Sequence, residues 1–227
     1  MTFDVIATGS AGNAVTINGS ILIDCGISYK RLRPRVENVV LCLLTHEHGD
    51  HFQPSTVHAL HRERPAIRWG CCEWMVPLLL DAGVDKRAID VLQPGVVFWY
   101  PVSTGGVMSV EPVRVVHNVQ NCGFKIFAGG ERVFYATDTG TLDGIEAKGF
   151  DYYLIEANHT REELDKRIRE KMAAGEYAYE IEAARNHLSQ EQAFDWLAEQ
   201  MSPTSRYIFL HQHTDRQPNG QKGQHNG

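Results

Sequence analysis

Thr45-His46-Glu47-His48-Gly49-Asp50-His51 (THEHGDH) puts three imidazoles and two carboxylates directly behind the apolar run VVLCLL at 39–44. A continuous apolar run of this length suits a strand buried on both faces, so the heptad reads as the loop leaving that strand. Without a ligand, buried histidines clustered there would each need a separate hydrogen-bond partner, whereas a metal cradle satisfies them together. Alternate residues of an extended segment face one way, so His46, His48 and Asp50 are expected to converge. Gly49 lets the chain bend and bring His51 to a second metal beside the first. Imidazole nitrogens and carboxylate oxygens suit divalent ions such as zinc, manganese or iron.

Two metals need more ligands than one loop offers. Polar residues that end apolar strands are the candidates: His117 follows VRVV at 113–116, Asp138 follows VFYAT at 133–137, and His211 follows YIFL at 207–210. His213, two residues on and on the same side, rivals His211. His187 opens HLSQEQ at 187–192, where Ser189 with Gln192 fits a capping box and starts a helix. A histidine fixed ahead of a helix can give a proton to a leaving alkoxide. Glu156, ending YYLI at 152–155, can orient it and keep it protonated.

Around these candidates, 3–7, 15–17 and 21–24 read as short strands separated by Gly, Asn and Ser. Residues 28–36 suit a short helix limited by Pro34, and 54–64 and 73–82 suit two more. Strands are expected at 96–100, 107–116, 123–128 and 132–137, the last two joined as a hairpin through AGGE at 128–131. A strand at 152–155, helices at 162–174 and 190–200 and a strand at 207–210 complete the reading. Mixed strands and helices without a linker favour one α/β domain over 1–213, with two packed sheets and helices outside. The polar tail 214–227 carries no apolar residue and is expected to be disordered.

No stretch approaches the ~20 apolar residues of a membrane span. The start, MTFDVIATGS, lacks the basic flank and apolar stretch of a signal peptide, so the expected location is cytoplasmic. Five cysteines, an odd number without a CxxC pair, read as free thiols rather than a disulfide framework or zinc ribbon. The net charge of -6 gives no general attraction to a polyanion; bound divalent cations would concentrate positive charge locally. The basic residues Arg161, Lys166, Arg167, Arg169 and Lys171 alternate with acids and read as a solvated helical face, as do His58 and His61. Gly9 to Asn13 suits either a phosphate-binding turn or a purely structural one. Trp69 and Trp74, beside Cys71-Cys72, read as core or partner contacts rather than a base-stacking platform.

The heptad, as HxHxDH, resembles the metal loop of the metallo-β-lactamase superfamily. Within it the chain looks most like the YycJ/WalJ group, on GSAGNA (9–14), ILIDCG (21–26), ATDTG (136–140), EANHT (156–160) and NHLSQEQA (186–193). In the order Glu156, His187, His211 it is also similar to the 3′-processing tRNA endonucleases of the superfamily. Asn186 stands where a glycine is usual, and FQPST (52–56) lacks the usual glycine. The resemblance implies an αββα four-layer sandwich, two mixed sheets flanked by helices. It implies two divalent metal ions, Zn2+ or Mn2+, one held by His46, His48 and His117, the other by Asp50, His51 and His211, with Asp138 bridging. Asp50, His187 and Glu156 would be catalytic. The implied activity is a dinuclear phosphodiesterase, foremost a DNA exonuclease or endonuclease using a hydroxide shared by the metals. A cyclic-nucleotide phosphodiesterase is the alternative, then a thioester or lactam hydrolase, then a non-catalytic metal-binding regulator. Expected partners are nucleic acid or a cyclic nucleotide and no membrane, and a homodimer is compatible with the reading.

Overall fold

The computed structural model describes residues 1–102, 106–178 and 180–212. His213 and the tail 214–227 lie outside these residues. One sheet runs in chain order through β1 (Phe3–Ala7), β2 (Ala14–Ile17), β3 (Ile21–Ile23), β4 (Leu41–Leu44), β5 (Arg68–Cys72) and β6 (Ile89–Leu92). β1 to β3 form an antiparallel meander, and β3 to β6 run parallel. Parallel neighbours cannot be joined by a tight turn, and α1 (Tyr29–Leu32), α2 (Pro54–Glu63) and α3 (Val76–Asp81) lie in the three crossovers.

The second sheet has β7 (Phe98–Val102), β8 (Gly106–Val115), β9 (Asn121–Ala128) and β10 (Glu131–Ala136) antiparallel. Parallel strands β11 (Tyr152–Glu156) and β12 (Arg206–Leu210) then extend it beyond β10. Between β11 and β12 come α4 (Arg161–Ala173), α5 (Glu180–Asn186) and α6 (Gln190–Gln200).

Side-chain alternation along the strands builds the layers. Ile21 and Ile23 of β3, with Leu41 and Leu43 of β4, meet Phe124, Ile126, Val133 and Tyr135 of the second sheet in one buried cluster. Their neighbours Leu22, Cys42 and Leu44 face outward, onto Leu32, Val57, Leu60 and Leu79 of the helices. On the far side Phe134, Tyr153 and Ile155 pack against Ala193, Trp196 and Leu197 of α6. The result is the expected helix–sheet–sheet–helix sandwich. The α6 start is the expected capping box, with Ser189 Oγ accepting from Gln192 N at 3.2 Å and Gln192 Oε1 from Ser189 N at 3.1 Å.

β5, β6 and α5 have no counterpart in the sequence reading. β5 (RWGCC) is buried on both sides in the parallel part of the sheet, so it shows no alternation, and it carries no β-branched residue to mark it as a strand. Its Trp69, Cys71 and Cys72 are core residues. No helix among the described residues is long and apolar enough to cross a membrane.

Candidate metal centre

The expected site residues gather at one rim of the sandwich, just past strand ends. The heptad follows β4, His117 follows β8, Asp138 follows β10, Glu156 ends β11 and His211 follows β12. Clefts outside the carboxyl ends of parallel strands are the usual ligand sites of α/β sheets. Four described non-glycine residues have positive φ, and three of them are Asp24 (62°), Asp138 (53°) and His211 (49°), each just beyond a strand of this rim. Such conformations cost about 1–3 kcal/mol each and persist only where surrounding contacts hold them. Here the left-handed residue turns the chain at the strand end.

Ligand-type atoms of His46, His48 and His117 lie within 4.8 Å of one another, and those of Asp50, His51 and His211 form a second such group. Asp138 stands between them, grouped with His46 and His51 on one side and with Glu156, His187 and His211 on the other. One expectation from spacing needs correction: Asp50 does not converge with His46 and His48. His51 N and Phe52 N both donate to His48 O at 2.8 Å, so the heptad closes as a tight turn and carries Asp50 over to His51. Alternation holds for His46 and His48 and fails beyond them.

The donor chemistry fits divalent cations. His48 Nδ1 lies 3.1 Å from His46 Nε2 and 3.3 Å from His117 Nε2, and a single ring proton can serve only one of these contacts. His117 Nδ1 donates to Asn186 O at 3.1 Å, which leaves its Nε2 as a lone pair facing the group. That bond uses the backbone of Asn186, so the side chain at this position does not enter it. Asp138 Oδ2 is buried, and His51 Nε2 lies against it as an ion-pair contact without hydrogen-bond geometry. A cation at each group would satisfy these atoms together.

Asp24, missed by the sequence reading, is the main support of the loop. Its Oδ1 accepts from Thr45 N and Thr45 Oγ1 at 3.0 Å, and its Oδ2 from His51 Nδ1 at 2.7 Å. The available signal was a carboxylate directly behind the apolar ILI of β3, the pattern that singled out Asp138. Around it the turn at Gly9 to Asn13 is braced by its own bonds: Gly9 N donates to Asn13 Oδ1, Gly12 N to Gly9 O and Asn13 N to Asp50 O. Gly26 presses on the same loop, and a methyl group there would overlap the Asp50 carbonyl.

His187 Nδ1 lies 2.6 Å from Glu156 Oε1 and 3.2 Å from Asp138 Oδ1, and its ring stacks on that of His211 with centroids 5.2 Å apart. Burial works against its charged form, but Asp138 and Glu156 outweigh it and raise its pKa to about 10. Glu156 is fully buried; desolvation opposes its ionisation, and His187 and His211 overcome this and hold its pKa below the usual carboxylate range. Burial drives His46 the other way, to about 2, reinforced by the nearby His51, so its ring is a neutral donor. Asp50 is the one carboxylate of the set with substantial solvent access, its side chain 25% exposed against 3% for Asp138 and 0% for Glu156.

The other candidates fall outside the site. His58 and His61 tie α2 to a neighbouring turn, through Ala82 O at 3.0 Å and Asp85 N at 3.1 Å, rather than standing free on a helical face. Most of the basic residues on α4 are exposed.

Residues 20–212 match the profile of the beta-lactamase superfamily domain. Exodeoxyribonuclease YycJ of Bacillus anthracis is 26% identical, over 92% of this chain and 80% of its own. Human tRNase Z, short form, superposes with a TM-score of 0.68 at 15% identity, over 94% of this chain and 93% of that one. Zn2+-bound PqqB of Methylobacterium extorquens superposes with a TM-score of 0.70 at 14% identity, over 94% and 89%.

Proposed function

We propose that this chain, which belongs to the beta-lactamase superfamily and has the metallo-β-lactamase fold, hydrolyses phosphodiester bonds in nucleic acid with two divalent metal ions. DNA is the proposed substrate, supported by the similarity to the exodeoxyribonuclease YycJ. His46, His48 and His117 would hold one ion, Asp50, His51 and His211 the other, and Asp138 both. Zinc or manganese suits this nitrogen and oxygen donor set. When bound, the ions supply a water activated near neutral pH and clamp the attacking and leaving oxygens.

The observation that carries the reading is the Glu156–His187 couple beside Asp138. When the P–O bond of a phosphodiester breaks, the leaving oxygen departs as an alkoxide and needs a proton. His187, kept charged by two carboxylates and with its side chain 21% exposed, is placed to deliver one. Glu156, with Oε1 on His187 and Oε2 accepting from Thr139 N at 3.0 Å, fixes the ring and its charge. Asp50, the accessible carboxylate, is placed to take the proton shed by the attacking water. The cyclic-nucleotide alternative needs an enclosing pocket, typically about 300 Å³ or more. The clefts beside His211 and beside Trp74 hold about 120 and 140 Å³.

The core shared by both sheets supports reading 1–213 as one domain. Five buried free thiols agree with a reducing compartment, and the cytoplasm is the proposed location. The test is to incubate manganese- or zinc-loaded protein with labelled linear DNA, a tRNA precursor and cyclic nucleotides, beside Asp50→Ala. DNA cleavage lost in the variant is expected. No cleavage of any phosphodiester would overturn the reading, and cleavage unaffected by Asp50→Ala would overturn the site.

A further inference from the structure

The turn that follows β1 leaves its central donors unused. Gly12 N donates to Gly9 O at 2.9 Å and closes a four-residue turn with Ser10 and Ala11 in the middle. Asn13 ties this turn to the histidine loop: its Oδ1 accepts from Gly9 N at 2.9 Å, while its N and Nδ2 donate to Asp50 O at 2.6 and 3.2 Å. The turn is thereby fixed against Asp50, a candidate ligand of the second metal. Ser10 and Ala11 are exposed, and among the described residues none accepts a hydrogen bond from Ser10 N, Ala11 N or the Ser10 hydroxyl.

Thr8, Ser10, Ala11, Asn158, His211 and Gln212 line a cleft of about 120 Å³, and no carboxylate lines it. His211 sets the cleft against the second metal group, with its Nε2 3.4 Å from Asp50 Oδ2. Thr8 Oγ1 accepts from His211 N at 2.6 Å, and its own hydroxyl proton has no acceptor among the described residues. Asn158 is wall rather than donor, because its Nδ2 is spent on His211 O at 2.8 Å and lies 3.2 Å from His211 Nδ1. The cleft has about four times the ~30 Å³ share of one water in the liquid, room for one tetrahedral anion and not for a nucleoside. Successive backbone N–H groups on a turn make concavities of the kind that bind anions.

Resting on the phosphodiesterase reading, we propose that this cleft is an anion cradle: Ser10 N, Ala11 N and the hydroxyls of Ser10 and Thr8 hold the phosphate next along the strand to the one that is cut. Hydrogen bonds to an ionised acceptor are about twice as strong as neutral ones, so uncharged donors suffice, and a chain of net charge -6 needs no basic groove at this point. Contacts to phosphate fix register and carry no sequence information. The cradle therefore decides which linkage reaches the metals, and it does so for any base.

The test uses metal-loaded full-length protein and nuclease-resistant phosphorothioate dT dimer and trimer, which carry one and two phosphates, with Kd read by calorimetry. Ser10→Pro removes one N–H and one hydroxyl at the second position of the turn, where proline is favoured, and Ser10→Glu puts a negative charge at the cleft. Circular dichroism and metal content show the variants folded and loaded. The parent is expected to bind the trimer about tenfold more tightly than the dimer, and the preference should vanish in both variants. Dimers phosphorylated at the 5′ or the 3′ end, if they match the trimer in the parent alone, assign the cradle to the phosphate of a strand end; if they do not, to an internal linkage. A preference that persists in both variants, or that the parent lacks, would overturn the cradle, whatever the cleavage assays give. A preference lost in the variants with no cleavage of any phosphodiester would instead overturn the nuclease reading and keep the cradle.

Discussion

His51 donates a hydrogen bond through Nδ1 to Asp24 Oδ2 at 2.7 Å, with both side chains fully buried. That bond turns Nε2 toward Asp138 and fixes which nitrogen faces the metal position. Partners of this kind typically account for about 10–100-fold in metal affinity. Asp24→Asn, close in shape but without the charge, is expected to weaken retention of the second metal by that factor. Chelator competition measures it, and an unchanged dissociation constant would show that Asp24 serves the fold alone.

The heptad and the three strand-end residues were legible because each joins a chemical type to a position: an imidazole or carboxylate immediately behind an apolar run. Asp24 has the same signature but follows a run of only three residues, and the left-handed turn that aims it arises from the assembled rim. The side on which Asp50 falls was not legible either. Alternation assumes an extended chain, and the two bonds to His48 O replace it with a turn. β5 escaped because a strand buried on both faces, with Trp, Gly and Cys in place of β-branched residues, has no periodic mark.

If His187 delivers the proton, its loss should depend on the leaving group. His187→Asn is expected to lower turnover on DNA about 10²–10⁴-fold with metal content unchanged. On a nitrophenyl phosphodiester, whose phenolate leaves without help, the loss should shrink to a few-fold. Glu156→Gln should follow the same pattern more weakly. Equal losses on both substrates would make His187 a binding or structural residue.

Metal loading should release protons. Burial lowers the pKa of His51 and of His211, but Asp138 and Asp24 around the first, and Asp50 and Glu156 around the second, raise both to about 10. In the metal-free protein at pH 7.5 both rings are therefore cationic, and each must lose a proton to offer a lone pair. The apparent affinity for zinc or manganese rises with pH up to about 10 and levels above it. Calorimetric titration in buffers of different ionisation enthalpy reads the released protons directly; a heat independent of the buffer contradicts the assignment of these two rings.

Gly26 should set the stoichiometry of the centre. Its backbone lies against that of Asp50, where a methyl group would overlap the carbonyl. Asn13 N donates to that same carbonyl at 2.6 Å, Gly26 N to Asn13 O at 2.9 Å and Cys25 N to His51 O at 2.8 Å, so the segment cannot yield at one residue alone. Gly26→Ala must therefore push the Asp50–His51 half of the loop away from His211. The overlap falls on Asp50 and His51, so His46, on the β4 side of the turn, and His48 and His117 should keep their arrangement. Native mass spectrometry is expected to find one metal per chain in the variant and two in the parent. Two metals in Gly26→Ala would mean that the loop relaxes without disturbing its ligands, and none would mean that the two halves form only together.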